Sequence, residues 1–195
     1  MDRSSYRIIL TLAIALASCK KPIPPPPPGP PPSPHPDLVC PEGTTPAGQA
    51  PPVGLEVWCR RQLANGQWRR EGPSIGWHAN EVRAFTGDWL DNERSGTWLH
   101  WYPNGKPQTQ GTYIRGMKDG VWTSFHPSGD RMNEGQYVDG VENGPWTFWT
   151  EDLTRVEGAY ILGDQDGTWI DFTPEGVPDR ERIYRGGRLV SQREL

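Results

Sequence analysis

Trp98, Trp122 and Trp146 stand 24 residues apart, and Trp169 follows after 23. A period of this length means that one small unit is stacked on copies of itself, since a unit so short cannot bury its apolar side chains alone. The register extends well beyond the Trp column. Three residues after each Trp comes a large aromatic: Trp101, Phe125, Trp149 and Phe172. Seven after it comes the glycine of Pro103-Asn104-Gly105, Pro127-Ser128-Gly129 and Pro174-Glu175-Gly176. Gly111, Gly135 and Gly158 recur next, then Tyr113, Tyr137, Tyr160 and Tyr184, then Gly116, Gly140, Gly163 and Gly187. The third copy lacks the turn glycine and is one residue short at Thr150-Glu151-Asp152-Leu153, which accounts for the spacing of 23. The last copy has Arg182 where a glycine should stand, so the array is expected to loosen there. Counting backward by 24 aligns Trp77 with Trp101, Gly87 with Gly111 and Trp89 with Tyr113, with Ser74 in place of the leading Trp and Glu81 in place of the turn glycine. Residues 72–96 therefore read as a degraded first copy that caps the stack.

Each copy reads as a β-hairpin: short aromatic and β-branched runs separated by turns such as Pro-Asn-Gly-Lys, and joined by glycine-centred segments. No stretch holds a 3.6-residue apolar period, so no helix is expected in the array. Side chains alternate faces along a strand, so two aromatics three residues apart point to opposite faces unless a bulge intervenes. A glycine within a strand lets a neighbouring ring lie across the backbone. The expected fold is all-β, an elongated single twisted antiparallel sheet of consecutive hairpins.

The unit Gly-x-Trp-x-x-aromatic-x-Pro-x-Gly, followed by Gly-x-Tyr-x-x-Gly, resembles the MORN repeat, in the bacterial variant filed under antitoxin-like proteins. The resemblance covers residues 72–187. It implies consecutive hairpins in one long sheet and a role in assembly, tethering or partner binding rather than catalysis.

The N-terminus carries a different message. Arg3 and Arg7 precede an apolar run over residues 8–17, the pattern of a secretory signal too short to span a bilayer comfortably. It ends in Leu16-Ala17-Ser18-Cys19, which looks like the lipobox of bacterial lipoproteins. Cleavage before Cys19 would leave its thiol to carry the lipid, whose acyl chains anchor the protein at about 0.8 kcal/mol per buried methylene. Residues 22–36 are mostly proline, a polyproline II spacer that would span roughly 45 Å if fully extended. A proline tract can also be a ligand for aromatic-lined grooves. Lys20 after the lipid cysteine, rather than Asp, favours the outer over the inner membrane. With Cys19 lipidated, Cys40 and Cys59 remain as an even pair in an oxidising compartment, and a disulfide is favoured over a zinc site, which needs about four ligands.

These readings divide the chain into a signal (1–18), a lipidated cysteine with a proline-rich spacer (19–37), a disulfide-stapled cap (38–71), the repeats (72–187) and a tail (188–195). Residues 72–195 hold 12 Lys and Arg against 19 Asp and Glu. A negative array is a poor nucleic-acid binder and suits a basic partner.

Catalytic patterns are missing from the sequence: there is no Gly-x-Ser-x-Gly elbow, phosphate loop or His-Glu-x-x-His helix, and no cofactor is expected. His78 and His126 occupy one repeat position, but Tyr102 stands between them there, which favours solvated histidines over a metal pair. Asp119, Asp139 and Asp166 precede glycines, foremost a turn signature rather than a calcium site. Four aromatics fall outside the register, Trp68, Phe85, Tyr102 and Phe148, and are the candidate binding surface, with packing against the cap as the alternative. The expected function is a non-catalytic, membrane-anchored scaffold for an envelope protein or cell-wall component. A protein that neutralises a toxic partner is the second reading, and a glycan-binding module or carbohydrate-active enzyme the third.

Overall fold

The computed structural model describes residues 35–195 apart from 153. The expected signal, Cys19 as the expected lipidation position and most of the proline-rich spacer lie outside the described residues. What is described is one antiparallel sheet of thirteen strands in sequential order. The cap supplies β1 (Thr45–Gln49), β2 (Glu56–Gln62) and the start of β3 (Trp68–Trp77). The repeats supply the remainder of β3, β4 (Arg83–Leu90), β5 (Glu93–Trp101), β6 (Pro107–Ile114), β7 (Met117–Phe125), β8 (Arg131–Val138), β9 (Val141–Trp149), β10 (Arg155–Ile161), β11 (Asp164–Phe172) and β12 (Pro178–Arg185). Residues 188–195, expected as a tail, instead form β13 (Arg188–Glu194), which pairs with β12. Among the described residues no helix is long and apolar enough to cross a membrane.

Two kinds of turn alternate. Along one edge run four-residue loops, in which the N–H of Tyr102 donates to Lys106 O and that of Gly105 to Tyr102 O, repeated at His126 and Thr173. Along the other run two-residue turns with both central residues at positive φ: Asp91-Asn92, Arg115-Gly116, Asp139-Gly140, Leu162-Gly163 and Gly186-Gly187. These are type I′ turns, whose twist matches that of the strands they join. Glu81 has φ 65° in the place where Gly105, Gly129 and Gly176 have 81°, 97° and 82°, so the degraded first copy keeps the turn at the cost of a strained residue.

The repeat glycines explain the core. A Cβ on Gly87, Gly111, Gly135 or Gly158 would fall 2.2, 2.2, 1.9 or 2.1 Å from the indole of Trp98, Trp122, Trp146 or Trp169 respectively. Each Trp therefore lies flat across the backbone of the preceding hairpin, and only glycine leaves room for it. The glycine two residues before each Trp adopts positive φ, from 66° at Gly96 to 109° at Gly144, at the bulge that the ladder makes there. Arg182 breaks the glycine column because no Trp follows to lie over it. Its guanidinium instead pairs with Asp171 and lies near the Tyr184 hydroxyl, so the expected loosening is a cap.

At the other end, residues 35–41 fold onto one face of β2–β4. Leu38 packs with Val57, Cys59 and Ile75 as a small core. The disulfide Cys40–Cys59 ties this segment to β2, with 5.5 Å between the two Cα atoms.

Candidate interaction surface

Strand parity sorts the aromatics onto two faces with different fates. On the first, Trp89, Trp98, Tyr113, Trp122, Tyr137, Trp146, Tyr160, Trp169 and Tyr184 form an unbroken ladder of edge-to-face contacts, with centroids 4.9–6.4 Å apart and interplanar angles of 70–89°. Each such contact contributes about 0.5–1.5 kcal/mol beyond the area it buries. The indole N–H groups of Trp98, Trp122 and Trp146 donate to the carbonyls of Asp88, Thr112 and Gln136 at 3.1, 3.1 and 3.2 Å. Trp169 Nε1 is buried without a partner.

Cations roof this ladder. Arg70 lies over Trp58 and Trp89, Arg94 over Trp98 and Tyr113, and Lys118 over Trp122 and Tyr137, at 4.4–5.2 Å. Burial lowers the Lys118 ammonium pKa, opposed by the nearby Glu142 carboxylate. Glu142 takes the same place one repeat on and accepts the Tyr137 hydroxyl at 3.2 Å. Burial first, then Glu142, pushes Tyr137 up to about 12. Arg70, Arg94, Lys118 and Glu142 are 24 apart, so periodicity could have found the row; the change of charge sign conceals it.

The four off-register aromatics do not form one patch. Phe85 packs on Trp98 at 5.7 Å, and Phe148 lies between Trp146 and Trp169 at 5.5 and 6.1 Å, so both share the packed layer. Phe148 fills the slot that His100 holds two repeats earlier, where the imidazole stacks on Trp98 at 5.8 Å. Burial lowers the His100 pKa, aided by Arg94 and Lys118. Tyr102 sits at the four-residue-turn edge and donates its hydroxyl to Phe125 O at 2.8 Å. Trp68 is 43% exposed, beneath the Arg60 guanidinium.

The histidines of the turn edge share the Tyr102 role. His78 Nε2 lies 2.7 Å from Trp101 O and His126 Nε2 3.1 Å from Trp149 O, each reaching the next repeat. A carbonyl only accepts, so both rings carry their proton on Nε2. The opposite edge is stitched too: the N–H groups of Asn92, Gly116, Gly140, Gly163 and Gly187 donate to Arg70, Arg94, Lys118, Glu142 and Gln165 carbonyls. Among the described residues no group of three His, Cys, Asp or Glu could hold a metal ion.

With hairpin, turn glycine and stacked Trp in place, the family can be read. The family model described as a MORN repeat variant matches residues 94–115 and 118–139. Residues 94–139 hold two copies of that repeat. The MORN repeat suggests a repeat scaffold, and the hairpins on either side of the two matched segments carry the same glycine-and-Trp construction. A search of curated proteins gave no match.

The second face is built differently. Trp101, Phe125, Trp149 and Phe172 lie three residues beyond the buried tryptophans, hence on the opposite side, and all four are half-buried. Beside them runs a shallow groove lined by Thr97, Leu99, Gln110, Thr112, Val121 and Glu134. Thr123, 4% exposed, donates to Glu134 at its base. Over β2–β4 this face is covered by residues 35–41, and His35 rests on Trp77 at 5.0 Å. Among the described residues no segment covers it from β5 onward.

Proposed function

We propose that the chain is a non-catalytic scaffold of the bacterial cell envelope, anchored by lipid on Cys19, whose repeats bind a partner protein or wall component through the face bearing Trp101, Phe125, Trp149 and Phe172. One observation carries this reading. A sheet normally buries its apolar faces against a second layer; here the first face is closed by its own rings and cations, while the second presents a half-buried aromatic in every repeat without a covering layer beyond β4. Separate hairpins displaying equivalent side chains suit an extended partner rather than a reacting small molecule. The lipobox-like run ending at Cys19 and the proline tract after it support the anchor, and Lys20 supports the outer-membrane address.

The test has two arms. Cys19→Ser should release the protein from the membrane fraction; continued membrane association would refute the anchor. The full chain, used as bait on detergent-solubilised envelope, should retain a partner that Trp101→Ser/Trp149→Ser loses while its unfolding curve stays cooperative. Failure to recover any partner from low to high salt, or equal recovery by the variant, would refute the binding role of this face.

A further inference from the structure

One stretch of the second face is already occupied, and what occupies it has a definite chemistry. Trp77 and Arg83 are cross-strand partners on β3 and β4. His35, Pro36, Asp37 and Leu38 form a tight turn closed by the Leu38 N–H on His35 O at 2.9 Å. The His35 ring lies 5.0 Å from the Trp77 ring, and Asp37 Oδ2 accepts from Arg83 Nη2 at 2.8 Å. The site thus reads a ring and a carboxylate two residues apart, held in register by the proline between them.

Two of the later copies reproduce this couple, whereas Trp101 and Phe172 face Pro107 and Pro178. Phe125 pairs with Arg131 across β7 and β8, and Trp149 with Arg155 across β9 and β10. Arg131 also leans toward Trp149, 5.9 Å from its ring, as Arg155 lies over Phe172 at 4.1 Å. In the first copy the strand has Thr86 three residues after Arg83, and the carboxylate comes from Asp37. In these two copies the strand supplies its own: Glu134 lies 3.6 Å from Arg131, and Glu157 2.8 Å from Arg155. Arg131 is the looser of the two and is 58% exposed.

We infer that the Phe125, Arg131 and Trp149 cluster is a docking site for a partner's proline turn, one bearing an aromatic ring and, two residues on, a carboxylate. The ring lies on Phe125, the cross-strand partner of Arg131 as Trp77 is of Arg83, and the carboxylate replaces Glu134 on Arg131, whose guanidinium borders Trp149. This rests on the scaffold reading above and specifies what that face recognises. The chain's own residues 22–34 contain no acidic residue, so they lack the carboxylate half. The array's net negative charge acts at long range, whereas contact is set by Arg131.

The probe is the capped hexapeptide Pro-His-Pro-Asp-Leu-Val, the sequence of residues 34–39, titrated into the full chain in detergent micelles while the tryptophan indole N–H signals are followed by NMR. Saturable movement of the Trp149 signal, assigned with Trp149→Phe, is expected. Replacing Asp by Asn in the peptide, or Arg131→Gln in the protein, should weaken binding about fivefold, the scale of a partly exposed ion pair. Glu134→Gln should tighten it by a similar factor, because it removes the competitor, an effect that mere destabilisation cannot mimic. A Trp149 signal that stays still, or an affinity unchanged within about twofold by both protein variants, would overturn the inference. A captured partner that the peptide does not displace would also overturn it and leave the scaffold role standing. Peptide binding that follows this pattern, with no partner recovered from envelope, would uphold the site and count against the scaffold role.

Discussion

If Gly135 is glycine only because Trp146 lies across it, the two residues must be strongly coupled. The perturbation is Gly135→Ala, alone and with Trp146→Ala. A Cβ at 135 would sit 1.9 Å from Trp146 Cδ2, whereas ordinary contact begins at 3.4 Å, so the indole must retreat by about 1.5 Å or more. Retreat breaks its hydrogen bond to Gln136 O and loosens contacts with Tyr137, Phe148 and Tyr160. Losing the packing of a buried Trp costs about 3–5 kcal/mol, and the intrinsic gain of Ala over Gly in a strand returns only about 0.5–1 kcal/mol. Gly135→Ala alone should therefore destabilise by about 3 kcal/mol, a Tm fall of roughly 6–12 °C for a domain of this size. Once Trp146 is truncated the clash is gone, so the double variant should be no less stable than Trp146→Ala. The resulting coupling of about 3 kcal/mol lies at the top of the range seen for contacting residues. Equilibrium urea unfolding followed by circular dichroism measures all four corners of the cycle. Additivity within about 0.5 kcal/mol would refute the account of the glycine column.

Three further outcomes follow from named residues. Glu81→Gly removes a left-handed strain of about 1–2 kcal/mol against a smaller entropy cost, so it should raise stability by about 0.5–1 kcal/mol in the same urea assay. His100 has a folded pKa below the ordinary 6.5, so its contribution is intact above that pH and is lost as pH falls. His100→Phe, which copies the Phe148 slot, should keep the fold and flatten the acid limb of a stability–pH curve measured between about pH 7 and 4. Tyr137, raised from 10.0 to about 12, contributes stability that is present below pH 10 and lost as pH rises through about 12; Tyr137→Phe should weaken that alkaline loss in thermal melts.

The sequence made some of this legible, for physical reasons. A close ring-on-backbone contact demands glycine, and a repeated contact demands it at a fixed interval, so the hairpins and the glycine column could be read from spacing. Cys40 and Cys59 were legible because they were the even pair left over. Phase alone did not give the face on which Phe85 and Phe148 lie. Phase records which position of the unit a residue occupies, but parity decides its face, and Phe148, two residues from Trp146, shares the packed side whatever its phase. The hydrogen bonds that stitch both edges left little trace, because most use backbone groups or chemically different side chains, His78, Tyr102 and His126, for one purpose. The ring–proline–carboxylate contact of His35, Pro36 and Asp37 joins segments about 40 residues apart that no repeat relates.

Because each Trp rests on the glycine eleven residues before it, the array is a chain of identical tongue-and-groove joints with one sense. Copying any 24-residue window into itself adds one tongue and one groove together, wherever the window begins, and leaves none unmatched. The number of hairpins can therefore change in steps of one unit without redesign of the interior, provided that a tongueless start such as Ser74 and a filled groove such as Arg182 remain at the two ends. Reach, rather than shape, is the property this architecture can adjust most cheaply.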